Sequence, residues 1–158
     1  GVRPDMMIVG KALSGGFYPV SAVLADREIL GLIQPGEHGS TFGGNPLAAA
    51  IARAALRVIV EEGLVENAAQ MGEYFLERLA EIPQRNIKEV RGKGLLIGVE
   101  MKHELGNVRR YCEALRERGI LVKDTHEHVI RFAPPLIITR EIIDWAMPHI
   151  QDVLTADL

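Results

Sequence analysis

Lys11 stands where four apolar residues, Met6-Met7-Ile8-Val9, and Gly10 give way to the polar stretch Ser14-Gly15-Gly16. A primary amine in such a place can do chemistry open to few side chains. Held in a partly desolvated pocket, its pKa falls, it becomes nucleophilic, and it forms a Schiff base with an aldehyde. Ligands of open α/β sheets gather at the carboxyl ends of strands, and Lys11 lies one residue beyond such an end. Spacing alone leaves a solvated loop lysine as the commoner arrangement and does not separate the two.

The segment Gly39-Ser40-Thr41-Phe42-Gly43-Gly44-Asn45-Pro46 joins two hydroxyls, a glycine loop and the start of a helix. Those are parts of a phosphate site, because free backbone N–H groups and a helix N-terminus both attract anions. It is not a Walker loop, which ends in Gly-Lys-Ser/Thr. Alone, such a segment is more often just a loop and a cap. Arg131 sits in an apolar strand, on the face opposite Ile130 and Phe132. Its fork of donors fits a carboxylate bidentately, and an ion pair with an internal Asp or Glu accounts for it just as well. His126 and His128 flank Glu127 in a turn, with no further metal ligand in view. Cys112 falls on the apolar face of a helix and reads as core. Gly92-Lys93-Gly94 precedes a strand and reads as a turn.

The elements that must position these residues are legible in outline. Met6–Val9 reads as a strand covered on both faces, and residues 20–25 as a second strand. Asn45 and Pro46 open an Ala-rich helix that Gly63 stops. A second helix runs to about Glu81, ahead of Pro83. Residues 95–101 form a strand. Asn107 caps a helix with Val108, Tyr111, Cys112 and Leu115 on one face, ended by Gly119. Residues 120–123 and 129–132 are short strands. Thr139 caps a last helix that Pro148 should kink. The order is that of helices laid on a small sheet, with a boundary near Gly43-Gly44.

The chain has 158 residues, 47% of them hydrophobic, which suits a packed α/β fold. A net charge of −3 gives no electrostatic case for nucleic acid or an anionic membrane. No apolar run approaches the roughly 18 residues needed to span a bilayer. A single cysteine excludes an internal disulfide and is compatible with a reducing compartment. The opening Gly1-Val2-Arg3-Pro4-Asp5 does not look like a natural start, and a fragment is expected.

Residues 5–16, DMMIVGKALSGG, resemble the lysine segment of class III (subgroup II) aminotransferases. Residues 36–48, GEHGSTFGGNPLA, resemble that family's second signature. The resemblance continues through VRGKGLLIGVEM and VIRFAPPLIIT to the last helix. Within the family, FYPVSAVLAD, QPGEHGST and RFAPPL are most similar to the ornithine aminotransferases, with acetylornithine and 4-aminobutyrate as alternative amino donors. The resemblance implies a pyridoxal-phosphate transferase of fold type I. Residues 1–43 would end its large cofactor-binding domain, and residues 44–158 would form a linking helix and the small C-terminal α/β domain.

It also implies roles. Lys11 would bond pyridoxal 5'-phosphate and then act as general acid–base. Ser40 and Thr41 would bind the cofactor phosphate of a neighbouring subunit, in a homodimer with shared sites. Arg131 would hold the substrate's α-carboxylate. Substrates would be an amino acid and a 2-oxo acid, no metal would take part, and the setting would be cytoplasmic. The first phosphate loop, the aromatic stacked on the cofactor ring, the aspartate at its nitrogen (which is not Asp5) and the arginine for the 2-oxoglutarate side chain would all lie upstream. The piece alone is therefore expected to be inactive. The reading from another class is a non-catalytic binding or oligomerisation module in which Lys11 is a spectator.

Overall fold

The computed structural model describes residues Gly1–Leu158, which divide into two compact units, Gly1–Glu62 and Gly63–Leu158. The division falls after the Ala-rich helix, which packs with the first unit.

In the first unit, strands β1 (Met6–Val9) and β2 (Ala22–Ala25) pair antiparallel, Met6 opposite Ala25 and Val9 opposite Ala22. A 3-10 turn, Lys11–Ser14, follows β1, and the short helix α1 (Arg27–Leu30) follows β2. Helix α2 (Pro46–Glu61) starts as expected: the Asn45 side chain accepts from the Ala48 N–H at 2.8 Å and Pro46 takes the first helical position. Its small residues Ala48 and Ala52 are buried, and the lysine turn packs on this helix. One expectation is corrected here. Strand β1 is not covered on both faces: Met6, Met7 and Ile8 are 49, 46 and 79% exposed. Two paired strands have no second layer to bury an apolar run, and none of the unit's other elements provides one.

The second unit opens with α3 (Leu64–Ala80), entered through Gly63, whose φ of 62° suits a residue without a β-carbon. Strands β3 (Ile87–Lys93) and β4 (Leu96–Met101) form a hairpin. Helix α4 (Arg109–Glu117), strands β5 (Lys123–Thr125) and β6 (Val129–Phe132), and helix α5 (Arg140–Thr155) complete it. The sheet is antiparallel throughout, in the order β3-β4-β6-β5. Alternation decides its faces. Ile97, Val99, Met101, Ile130 and Phe132 are buried with Met71, Phe75 and Leu79 of α3, Tyr111 and Leu115 of α4, and Ile143 and Ile150 of α5. Phe75 meets Phe132 edge-on at 5.6 Å. The opposite face carries Leu96, Arg91 and Arg131 and lies open. Cys112 belongs to the core, and α5 runs through Pro148 as one helix.

Two expectations shift. Gly92 and Lys93 are strand residues of β3, and the turn itself is at Gly94, with φ 54°. Residues 120–122 do not pair: Ile120 and Val122 pack on the core while Leu121 is 82% exposed, and pairing begins at Lys123. The N-cap position of α4 is Val108, and Asn107, one residue earlier, accepts from the Arg109 N–H at 2.8 Å.

Candidate active site

The first unit holds Lys11, Ser40 and Thr41; the second holds Arg131. Lys11 opens the 3-10 turn at the carboxyl end of β1, where the strand-end argument puts it. Its φ is 54°, one of three positive values among non-glycine residues. A side-chain-bearing residue in the left-handed region costs about 1–2 kcal/mol and persists only where its surroundings fix it. Lys11 is exposed, and no carboxylate pairs with it. The unit alone therefore presents the amine without the desolvation expected of a reactive lysine.

Ser40 and Thr41 lie in an exposed turn that leads into α2. The Ser40 hydroxyl accepts from the Gly43 N–H at 2.8 Å, and its hydrogen stays free to donate. A β-carbon at Gly43 would lie 2.6 Å from the Ser40 Oγ, so a side chain there would displace the hydroxyl from this bond. The Asn45 Nδ2 donates to the Phe42 carbonyl at 2.9 Å. Thr41 makes no side-chain hydrogen bond within the chain. Two hydroxyl donors beside the positive end of a 16-residue helix are a donor set suited to phosphate. No hydrogen bond joins either hydroxyl to Lys11.

Arg131 lies on the open face of the second unit's sheet, in a cross-strand row of Arg91, Gly98, Arg131 and Lys123. Like charges in such a row repel, and the outer two are neutralised locally. Arg91 binds Glu89 at 2.6 Å and Glu100 at 2.7 Å, and Lys123 binds Asp124 at 2.7 Å. Glu100 also takes Lys88 at 2.6 Å. The Lys88 ammonium first, then the Arg91 guanidinium, hold its carboxyl down to about 2. Lys123 likewise lowers Asp124. The nearby carboxylates are thus committed, and Arg131 makes no ion pair. That excludes the internal partner that sequence left open. At Gly98 beside it, a β-carbon would lie 3.3 Å from the Val129 Cγ1.

His126 is exposed in the β5–β6 turn, and His128 stacks on His103 at 4.3 Å. No group of three or more His, Cys, Asp or Glu side chains forms a metal site. The sequence reading passed over Ser14, which is 2% exposed and hydrogen-bonded to Tyr18. Nothing in the sequence set it apart from the polar stretch Ser14-Gly15-Gly16.

The Aminotransferase class-III profile matches residues 1–154, and the chain belongs to that family. It is similar to the ornithine aminotransferase of Bordetella pertussis, at 56% identity over 98% of this chain and 37% of that protein. Among solved structures it is similar to an ornithine aminotransferase from Plasmodium yoelii, at 49% identity and a TM-score of 0.90, over 97% of this chain and 41% of that one. An acetylornithine aminotransferase from Elizabethkingia anophelis matches at 46% identity and a TM-score of 0.88, over 97% of this chain and 41% of that one. The chain thus spans less than half the length of these relatives. No helix is long and apolar enough to cross a membrane.

Proposed function

We propose that the full-length protein is a pyridoxal 5'-phosphate-dependent aminotransferase. It would move the δ-amino group of L-ornithine to 2-oxoglutarate, giving glutamate 5-semialdehyde and glutamate. The observation that carries this reading is Lys11: an unpaired amine, in a left-handed backbone conformation at a strand end, inside the family's lysine segment. When bound, the cofactor supplies an electron sink and carries the amino group between the two half-reactions.

The chain's own residues divide the remaining work. Lys11 holds the cofactor and then moves a proton at the carbon bearing the reacting amine. The Ser40 and Thr41 hydroxyls donate to the cofactor phosphate of a second copy, so that active sites are shared in a homodimer. Arg131, free of internal carboxylates, takes the substrate's α-carboxylate and fixes the orientation of the reacting carbon. Residues 1–43 end the large domain in this reading, and residues 44–158 form the linking helix and small domain. A cytoplasmic setting accords with the free, buried thiol of Cys112.

The test is borohydride reduction of the full-length protein with its cofactor, followed by peptide mapping. A pyridoxyl adduct on Lys11 is expected, and one elsewhere, or none, sinks the reading. The likeness to an acetylornithine enzyme makes N-acetylornithine the comparison donor. Faster turnover of the acetylated amine would overturn the choice of ornithine. Sedimentation of the cofactor-bound protein as a monomer would overturn the shared site.

A further inference from the structure

Lys11 keeps a backbone conformation that its own side chain disfavours, so something nearby must impose it. The turn is fixed from both ends. On the near side, Gly10 lies so close to the start of β2 that a β-carbon there would sit 3.1 Å from the Ser21 Cβ. On the far side stands Ser14. It is 2% exposed, and the only other buried polar residue of the chain is Asn86, in the second unit. Its hydroxyl donates to the Tyr18 carbonyl and accepts from the Tyr18 N–H, the latter at 3.0 Å. One hydroxyl therefore satisfies both backbone groups of the residue at which the chain turns back toward β2.

Between these anchors the backbone bonds are few: Leu13 N–H to the Gly10 carbonyl at 3.2 Å and Gly15 N–H to the Ala12 carbonyl at 2.9 Å. A single 3-10 turn is a weak device by itself. The turn also packs on α2, where a β-carbon at Gly15 would lie 3.6 Å from the Ala55 Cβ. Removing the hydroxyl leaves two part-buried backbone groups without their partner, and the turn must move to pair or hydrate them.

We infer that Ser14 is a positioning residue for Lys11: by clamping Tyr18 it fixes the turn that holds Lys11 left-handed and so sets the direction of its amine. Ser14 does this through backbone and takes no part in bond making. The inference rests on the proposed role of Lys11.

The experiment compares Ser14→Ala with the wild type as full-length, cofactor-bound protein. Three outcomes are expected together. The borohydride adduct of the variant still maps to Lys11. The kcat falls about 10- to 100-fold while KM stays within about threefold, as for a reacting group misplaced by about 1 Å. The pH midpoint of the bound cofactor's absorbance moves by at least about half a unit, because the amine's surroundings change. An unchanged kcat and midpoint, even with a lowered melting temperature, would mean that Ser14 merely stabilises the fold, and the inference fails. Hydrogen exchange at the Tyr18 amide in the cofactor-free protein keeps the two ideas apart. Faster exchange in the variant is expected whatever Lys11 does, and unchanged exchange removes the clamp. A wild-type adduct away from Lys11 instead removes the role of the lysine.

Discussion

Gly72 offers a sharp test because two physical rules give it opposite signs. It lies in the middle of α3, where alanine is favoured over glycine by about 1 kcal/mol. Helix propensity therefore makes Gly72→Ala stabilising. The structure gives the reverse. A β-carbon at Gly72 would lie 2.2 Å from the Gly94 carbonyl oxygen, 2.3 Å from its carbon and 2.6 Å from its Cα. Ordinary carbon contacts begin at about 3.5 Å, so α3 and the β3–β4 turn must separate by more than about 1 Å. Both sides are backbone, and no rotamer change relieves the overlap. The seam is closed by Met71 and Phe75 on the helix and Leu95 and Ile97 on the hairpin, all buried. Overpacking of a tight core costs about 1–3 kcal/mol. Set against the propensity gain, with this seam at the upper end of that range, the net loss is about 2 kcal/mol. For a unit the size of Gly63–Leu158 that lowers the melting point by roughly 8–16 °C. Trp145, the only tryptophan, lies in α5 of this unit and reports its unfolding by fluorescence. Ala69→Gly, at an exposed position of the same helix, measures propensity alone and should cost about 1 kcal/mol. A melting point for Gly72→Ala at or above the wild type would refute the close approach.

Glu100 has a folded pKa of about 2 against an ordinary 4.5, so the stability it contributes is complete above pH 4.5 and is lost as pH falls through 2. Glu100→Gln should destabilise at neutral pH and flatten the fall of the urea midpoint between those two values; an unchanged acid limb would contradict the assignment. Asn86 is 4% exposed and donates to the Leu154 and Ala156 carbonyls at 3.1 and 3.0 Å, so Asn86→Ala should cost about 2–3 kcal/mol, measured by urea unfolding. A loss under about 0.5 kcal/mol would mean that water replaces both bonds. In the full-length protein, Arg131→Gln should lower kcat/KM about 10- to 100-fold, and Arg131→Lys should restore little of it, because one ammonium cannot make two parallel bonds.

The elements with strong local punctuation were legible: α2 between Asn45-Pro46 and Gly63, α4 ahead of Gly119, and the core face of β4. Strand β3 was not. A bulge between Ile87 and Glu89 shifts its register, so the inward Ile87 and Val90 stand three residues apart and the period of two disappears. The start of β5 was misplaced for a related reason. Ile120, Leu121 and Val122 read as a strand by composition. Pairing is instead set from the turn, where His126 and Glu127 take positive φ values of 48° and 60° without a glycine to announce it. The apolar content of β1 gave its identity as a strand. Burial is a property of what packs against it, and that information was not in the run.

The candidate site divides in the same way. That Arg131 faces away from the core follows from alternation, which is local. That it lacks an ion pair does not, because this depends on where Glu100 and Asp124 are spent. Those commitments are fixed by the registers of β3 on β4 and of β5 on β6, which a single strand cannot reveal. Lys11 shows the same separation at shorter range. Its neighbours in sequence mark the end of a strand, yet what distinguishes it from an ordinary loop lysine is a backbone angle held from Ser14 and Ser21, three and ten residues away. Under the proposed function, a substrate carboxylate is the partner that the exposed Arg131 lacks within the chain, and the left-handed turn is the geometry from which the Lys11 amine would react.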